Sequence, residues 1–281
     1  MSVRFTILGS GSGGNCAYLE AGETRLLIDA GFSGRQIRER LATLGRVPEG
    51  ISGVLITHEH GDHIAGLGPL CGKSGIPIYT NRLTQEAIQR QFPETRFNFC
   101  RFETGNHFSL GSIGIQTFAI PHDAVDPVGF LLQTTSGNIG FLTDLGHVTK
   151  LIFERVRSAN VLVLEANHDL ALLQADTKRP WSTKQRILSR HGHLSNTSAA
   201  EAAVQLAHAH LQRVYLGHLS RDCNRPELAH KEVSKKLAGI GATHIRVENT
   251  DQDRPCPTVE LAPLPPPREA LRSETALLTL V

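Results

Sequence analysis

Seven consecutive residues constrain this chain more than any other feature. They are Thr57-His58-Glu59-His60-Gly61-Asp62-His63, set directly after the apolar run Gly53-Val54-Leu55-Ile56. Side chains two apart on an extended strand point the same way, so His58 and His60 at a strand end can grip one metal ion together. Asp62 and His63 follow where the chain turns toward a helix, and they can face a second ion from the other side. Two ions about 3.5–4 Å apart form the usual two-metal hydrolytic arrangement. A histidine-rich polar loop arising by chance is the alternative, but four potential ligands within six residues at a strand end favour metal.

A two-ion site needs more ligands, and three places supply one just after a predicted strand. These are His122 in Ile120-Pro121-His122-Asp123, Asp144 in Phe141-Leu142-Thr143-Asp144, and His218 in Tyr215-Leu216-Gly217-His218. Asp144 can bridge both ions, His122 can complete the first and His218 the second. A lone histidine after a strand is more often a hydrogen-bonded loop residue; the shared placement gives the set its weight. The ligands are nitrogen and oxygen only, which suits zinc or manganese. His107 reads as a surface residue, and His147 is near enough to Asp144 to support it. His208, His210, His230 and His244 lie in segments without any other metal-like feature.

Strand-length apolar runs recur at residues 3–8, 26–28, 54–56, 113–118, 129–132, 139–142, 161–164, 214–216 and 244–247. Helical spacing appears at 34–44 and 84–91, after a capping signal at 196–210, and behind Pro226 at 226–237. This mixture predicts an α/β fold of mixed sheets covered by helices, over residues 1–261. Residues 262–281, rich in proline at their start, read as a weakly ordered tail. Five cysteines without a CxxC pair argue against a disulfide framework or thiolate zinc site and fit a reducing compartment. There is no signal-peptide pattern and no run near the roughly 20 apolar residues that span a bilayer, so the cytoplasm is expected and a membrane is not. A net charge of +2 does not by itself imply a nucleic-acid partner.

The HxHxDH motif, followed by His122, Asp144 and His218, resembles the metallo-β-lactamase superfamily across nearly the whole chain before the proline-rich stretch. The resemblance implies an αβ/βα four-layer sandwich with two mixed β-sheets and helices outside, the metals lying at one edge. It also implies two divalent ions, Zn2+ or Mn2+, held by His58, His60, Asp62, His63, His122, Asp144 and His218. Asp62 would also orient a nucleophilic hydroxide shared between the ions.

Glu165 ends a predicted strand, and His193 precedes the helix at 196–210. The pair resembles the Glu and His-x-Ser/Thr of phosphodiesterases such as the tRNA-processing ribonuclease Z. An alkoxide leaving phosphorus needs a proton, and a carboxylate behind an imidazole raises its pKa toward the working range. His193 would then be a general acid or phosphate ligand and Glu165 its orienter; the alternative is a helix cap beside an exposed strand end. The glycine-rich run at 8–16 can offer backbone N–H groups to phosphate, with Ser12, Gly13 and Asn15 as donors. Residues 177–193 hold Lys178, Arg179, Lys184, Arg186 and Arg190 with no acid, a strip suited to a phosphate backbone. Trp181 within it reads as a packing anchor, with base stacking the alternative.

SGSGGNC, THEHGDH, EANHD, GHLSN and LGHLSRDCN together resemble the YycJ/WalJ (VicX) branch, whose members are regarded as single-strand DNA 5′-exonucleases. That implies a nucleic-acid partner, DNA ahead of RNA, with Ser195, Asn196, Arg221 and Asn224 as candidate phosphate contacts. It assigns no role to His168 or Asp169. The interval from Asp144 to His218 is too short for the extra clamping domain of β-CASP nucleases. A hydrolase of small esters, thioesters or lactams, an RNA-processing nuclease, and a non-catalytic nucleic-acid-binding module stay open. Residue types set neither cleavage polarity nor oligomeric state.

Overall fold

The structure, a computed structural model, describes residues 3–261, so the 262–281 tail lies outside the described residues. Its strands are β1 (Val3–Gly11), β2 (Gly14–Ala21), β3 (Thr24–Ile28), β4 (Gly53–Leu55), β5 (Ile78–Thr80), β6 (Phe99–Arg101) and β7 (His107–Leu110). They continue as β8 (Ile113–Ala119), β9 (Val128–Thr134), β10 (Gly137–Leu142), β11 (Val161–Glu165), β12 (Arg213–Gly217), β13 (Arg246–Asn249) and β14 (Val259–Leu261). The helices are α1 (Gly34–Thr43), α2 (Gly61–Ile64), α3 (Leu67–Cys71), α4 (Arg82–Gln91), α5 (Lys150–Val156), α6 (Leu170–Ala175), α7 (Trp181–Ile187), α8 (Asn196–Leu206) and α9 (Pro226–Gly239).

The strands form two seven-stranded sheets, ordered β14-β1-β2-β3-β4-β5-β6 and β13-β12-β11-β10-β9-β8-β7. Each is mixed. In the first, β1 to β3 are antiparallel and β3 to β6 parallel; in the second, β7 to β10 are antiparallel and β10 to β13 parallel.

The period-two alternation of strand side chains sorts the apolar residues into three layers of core. Phe5, Ile7, Leu26 and Ile28 of the first sheet meet Ile115, Phe130, Phe141, Val163 and Tyr215 of the second. One residue along, Leu8, Leu27 and Val54 face outward onto Ile37 and Leu41 of α1, Leu67 and Leu70 of α3, and Ile88 of α4. On the far side, Leu162, Leu164, Val214 and Leu216 meet α5, α8 and α9. The result is the four-layer sandwich expected. Each fully buried large apolar side chain, Phe130 for example, contributes about 1.5–3 kcal/mol by leaving water.

Three sequence expectations shift. β2 is not among the strands expected from the sequence, yet it is buried throughout because it lies between β1 and β3. Its Ala17 and Leu19 face the central layer, and its Cys16 and Tyr18 the outer one. The helix expected over 196–210 stops at Leu206, where Ala207 turns extended and the His208 ring bonds the Ala159 carbonyl. The strand expected at 244–247 forms at Arg246–Asn249, because Val247 must pair with Val214.

Candidate metal centre

Neighbouring parallel strands end level with one another, and this assembles the site. Leu142, Leu164 and Leu216 are register partners across β10, β11 and β12, so Asp144, Glu165 and His218 emerge side by side. In the first sheet, Ile28 pairs with Leu55, which brings Asp29 beside Thr57. Three non-glycine residues among those described have positive φ: Asp29 at 60°, Asp144 at 56° and His218 at 54°. Such conformations cost roughly 1–3 kcal/mol each and persist where the surroundings over-determine them. All three belong to this site.

Three groups of ligand atoms result, each within 4.8 Å: Asp144, Glu165, His193 and His218 form one, and the two that frame the centre are His58, His60 and His122, then Asp62, His63, Asp144 and His218. Asp144 lies between them. Its Oδ2 is 3.0 Å from His63 Nε2, and its Oδ1 is 3.2 Å from His218 Nε2 and 3.9 Å from His122 Nε2. Asp62 Oδ2 approaches His218 Nε2 at 3.2 Å and His63 Nε2 at 3.5 Å. The backbone between the clusters is tight: a Cβ on Gly31 would fall 1.6 Å from the Asp62 carbonyl oxygen, so only glycine fits.

Hydrogen bonds behind the imidazoles turn the opposite ring nitrogens toward the centre. Asp29 Oδ2 takes the Nδ1 proton of His63 at 2.8 Å and also accepts from the Thr57 hydroxyl. With its proton committed to Asp29, Thr57 Oγ1 accepts from His58 Nδ1 at 3.0 Å. His122 Nδ1 reaches the Gly192 carbonyl at 3.2 Å. His58 Nε2 is then buried without any hydrogen-bond partner. An unpaired buried nitrogen is costly unless a ligand uses its lone pair. Nε2 atoms converging on carboxylates, with Nδ1 atoms held from behind, form a donor set that fits divalent metal ions.

Electrostatics separates the clusters. Burial, reinforced by neighbouring His63, pushes His58 well below the usual imidazole range and keeps it neutral. Burial also opposes protonation of His63, but Asp144, Asp29 and Asp62 outweigh it and hold that ring well above its ordinary value. Asp62 stays well below the carboxylate range because His63 and His218 overcome its desolvation.

Glu165 is fully buried and saturated. Its Oε1 accepts from His193 Nδ1 at 2.7 Å and His218 Nδ1 at 2.9 Å, and its Oε2 from the backbone N–H of Leu145 and Leu194. Burial opposes its charge, yet His193 and His218 bring its pKa down to about 2. The same carboxylate overcomes the desolvation of His193 and raises that imidazole above its usual value. The His193 ring lines the cleft above the clusters with Ser12, His60, Asp62, Asp144 and His218. Ser195, not His193, caps α8, by accepting from Ser198 N.

Sequence comparison adds to this geometry. A family profile described as the beta-lactamase superfamily domain matches residues 24–219. The chain belongs to that superfamily. Within it, the chain is 38% identical over 268 residues to "Exodeoxyribonuclease WalJ" of Streptococcus pneumoniae, covering 93% of this chain and 99% of the relative. "Exodeoxyribonuclease YycJ" of Bacillus anthracis is 35% identical over 261 residues, covering 91% and 98%. The chain is thus a member of the WalJ/YycJ branch of the β-lactamase superfamily. The same fold is seen in the metallo-beta-lactamase fold protein YhfI from Bacillus subtilis, at 18% identity and a TM-score of 0.71, over 92% of this chain and 100% of that one.

Several of the expected substrate contacts have partners within the chain. The Gly13 N–H, at an exposed position, donates to Gln252 Oε1 at 3.2 Å. Asn15 is buried, holding Ser10 Oγ and the Gly11 N–H, with its Nδ2 3.4 Å from Asp62 Oδ2. The Ser195 hydroxyl is spent on the helix cap. Asn196 and Asn224 are buried and bond each other's carboxamides, and Arg221 pairs with Asp253. Of that group, Ser12 alone lines the cleft. Trp181 is not a packing anchor: it is 63% exposed and outside the cleft. Two residues of the site went unnoticed in the sequence, Asp29 behind His63 and Asn167, whose Nδ2 bonds the His218 carbonyl. An Asp directly after the apolar Leu26-Leu27-Ile28 was the available signal, the same one that marked Asp144.

Proposed function

We propose that the chain is a metal-dependent phosphodiesterase that shortens single-stranded DNA from its 5′ end. The observation carrying this reading is the Glu165–His193 pair, 2.7 Å apart and beside both ligand clusters. The thiolate of a thioester can leave without a proton, whereas cleavage at phosphorus releases an alkoxide that must be protonated. The exodeoxyribonuclease names of the relatives, carried over nearly the full chain, agree with it.

In this reading His58, His60 and His122 would hold one divalent ion and Asp62, His63, Asp144 and His218 a second; zinc and manganese both suit these donors. Bound divalent ions supply Lewis acidity and a nucleophile available at neutral pH. The protein's own groups do the rest. Asp62 accepts a hydrogen bond from the attacking water and aims it, while Asn15 holds Asp62. His193, its Nδ1 proton fixed on Glu165, presents Nε2 to the phosphate and passes a proton to the departing 3′ oxygen. Ser12 borders the substrate. No described helix is long and apolar enough to cross a membrane; we place the protein in the cytoplasm, with residues 1–261 as its hydrolase domain.

End-labelled single-stranded DNA and RNA, incubated with Mn2+ or Zn2+, test the proposal. Stepwise loss from the DNA 5′ end by wild type, absent in Asp62→Ala and His193→Ala, is the expected result. Hydrolysis of a thioester that survives His193→Ala, with both nucleic acids intact, would sink it; preferential RNA cleavage would redirect it to RNA processing.

A further inference from the structure

Five cations lie in residues 177–193, each with a partner in the fold, and two of them, Arg179 and Arg186, line the cleft. Lys178 pairs with Asp222, and Arg179 is held between Asp176 and Asp222. Lys184 turns inward onto the Gln174 carbonyl, and Arg190 bonds the His147 ring. Arg186 is different. It lines the cleft with the metal-ligand residues, its side chain is 60% exposed, and its one ion pair uses Nε. The two terminal nitrogens of its guanidinium keep their donors free among the described residues.

Its partner is Asp123, next in sequence to the candidate ligand His122. Asp123 Oδ2 accepts from Arg186 Nε, while Oδ1 lies 3.3 Å from His122 Nε2. One carboxylate thus ties the guanidinium to a metal-ligand residue and fixes its distance from the reaction centre. A planar fork held by one edge, with the other edge open at the cleft, matches two oxygens of a phosphate.

We propose that Arg186 forms a second phosphate subsite, which grips a substrate phosphate adjacent to the one being cleaved, with Asp123 as its positioning residue. The inference rests on the phosphodiesterase reading. The gripped group is either the next internal phosphodiester or a terminal 5′-phosphate, and oligonucleotides with 5′-phosphate and 5′-hydroxyl ends separate the two.

For Arg186→Ala, KM for the oligonucleotide should rise roughly tenfold to a hundredfold with kcat little changed, as expected for loss of a charge-assisted contact. Hydrolysis of bis(p-nitrophenyl) phosphate, which has one phosphate only, should stay near the wild-type rate. Arg186→Lys should recover part of the loss, since it keeps the charge without the fork. Asp123→Asn should raise KM in the same direction but less. Binding of labelled oligothymidylate by metal-stripped protein gives a second readout: the slope of log Kd against log salt should fall by about 0.7 in Arg186→Ala. A KM penalty on both oligonucleotides points to the internal phosphate, and one confined to the phosphorylated substrate to the terminal one. Unchanged KM and salt slope would overturn the subsite while leaving the nuclease reading intact, and so would an equal fall on the small ester. Wild type that cleaves the small ester and no oligonucleotide overturns the nuclease reading itself.

Discussion

The two ligand clusters differ in what stands behind their imidazoles. In the Asp62/His63/Asp144/His218 cluster, His63 and His218 each give Nδ1–H directly to a buried carboxylate, Asp29 or Glu165. In the His58/His60/His122 cluster, the backing groups are neutral: the Thr57 hydroxyl behind His58 and the Gly192 carbonyl behind His122. A carboxylate behind a ligating imidazole raises its basicity and fixes its orientation. On the proposed reading, the acidic cluster would hold an ion more tightly than the all-histidine cluster.

The most severe way to break this contrast is to remove the residue that lies between the two. Asp144→Asn takes away the carboxylate that approaches His63 and His218 and faces His122. Metal content by mass spectrometry should fall at both clusters, and hydrolysis by more than about a hundredfold. Retention of both ions would show that the imidazoles suffice.

A narrower cut distinguishes the clusters. Asp29→Asn should weaken the acidic cluster by about 10- to 100-fold in a competitive zinc titration, with a smaller effect relayed through Thr57 to His58. Thr57→Val inverts the order, costing the all-histidine cluster about tenfold and the acidic one less. Equal losses in both variants would mean that Asp29, Thr57, His58 and His63 act as one network and that the contrast is false.

The smallest effect is expected from a carboxylate outside both clusters. Glu20 meets Arg46 through two hydrogen bonds of 2.9 Å and also accepts from Tyr18. Burial opposes its charge, but Arg46 and Tyr18 hold its pKa below the usual value. A depressed folded-state pKa stabilises above the unfolded value of about 4.3, and the stabilisation disappears as pH falls through the folded one. Arg46→Met should cost about 0.2–1 kcal/mol in urea unfolding at pH 7, less as acid is added, and leave zinc affinity unchanged. A shift in metal binding would show that the clusters reach further into the fold than their contacts indicate.

Much of the site was legible because its ligands cling to strand ends. His58, His60, Asp62 and His63 announce themselves by spacing, and His122, Asp144 and His218 by following apolar runs. The substrate-side residues were not legible, because spacing says nothing of who bonds whom. Asn15 and Asn196 are good donors by type, but the fold spends both internally. Gln252, more than two hundred residues away, takes the Gly13 N–H. Asp29 was overlooked since a lone Asp after a strand has many ordinary explanations.

By itself, the sequence determined the alternating strands, the capped helices and the metal-ligating residue types, since these depend on local periodicity and chemistry. Tertiary structure alone decided that strand ends from both sheets meet at one edge, that His58 Nε2 is left without a partner, and which cleft-lining arginine keeps an open edge. Those outcomes depend on partners far apart in the chain, and no local pattern records a partner at long range.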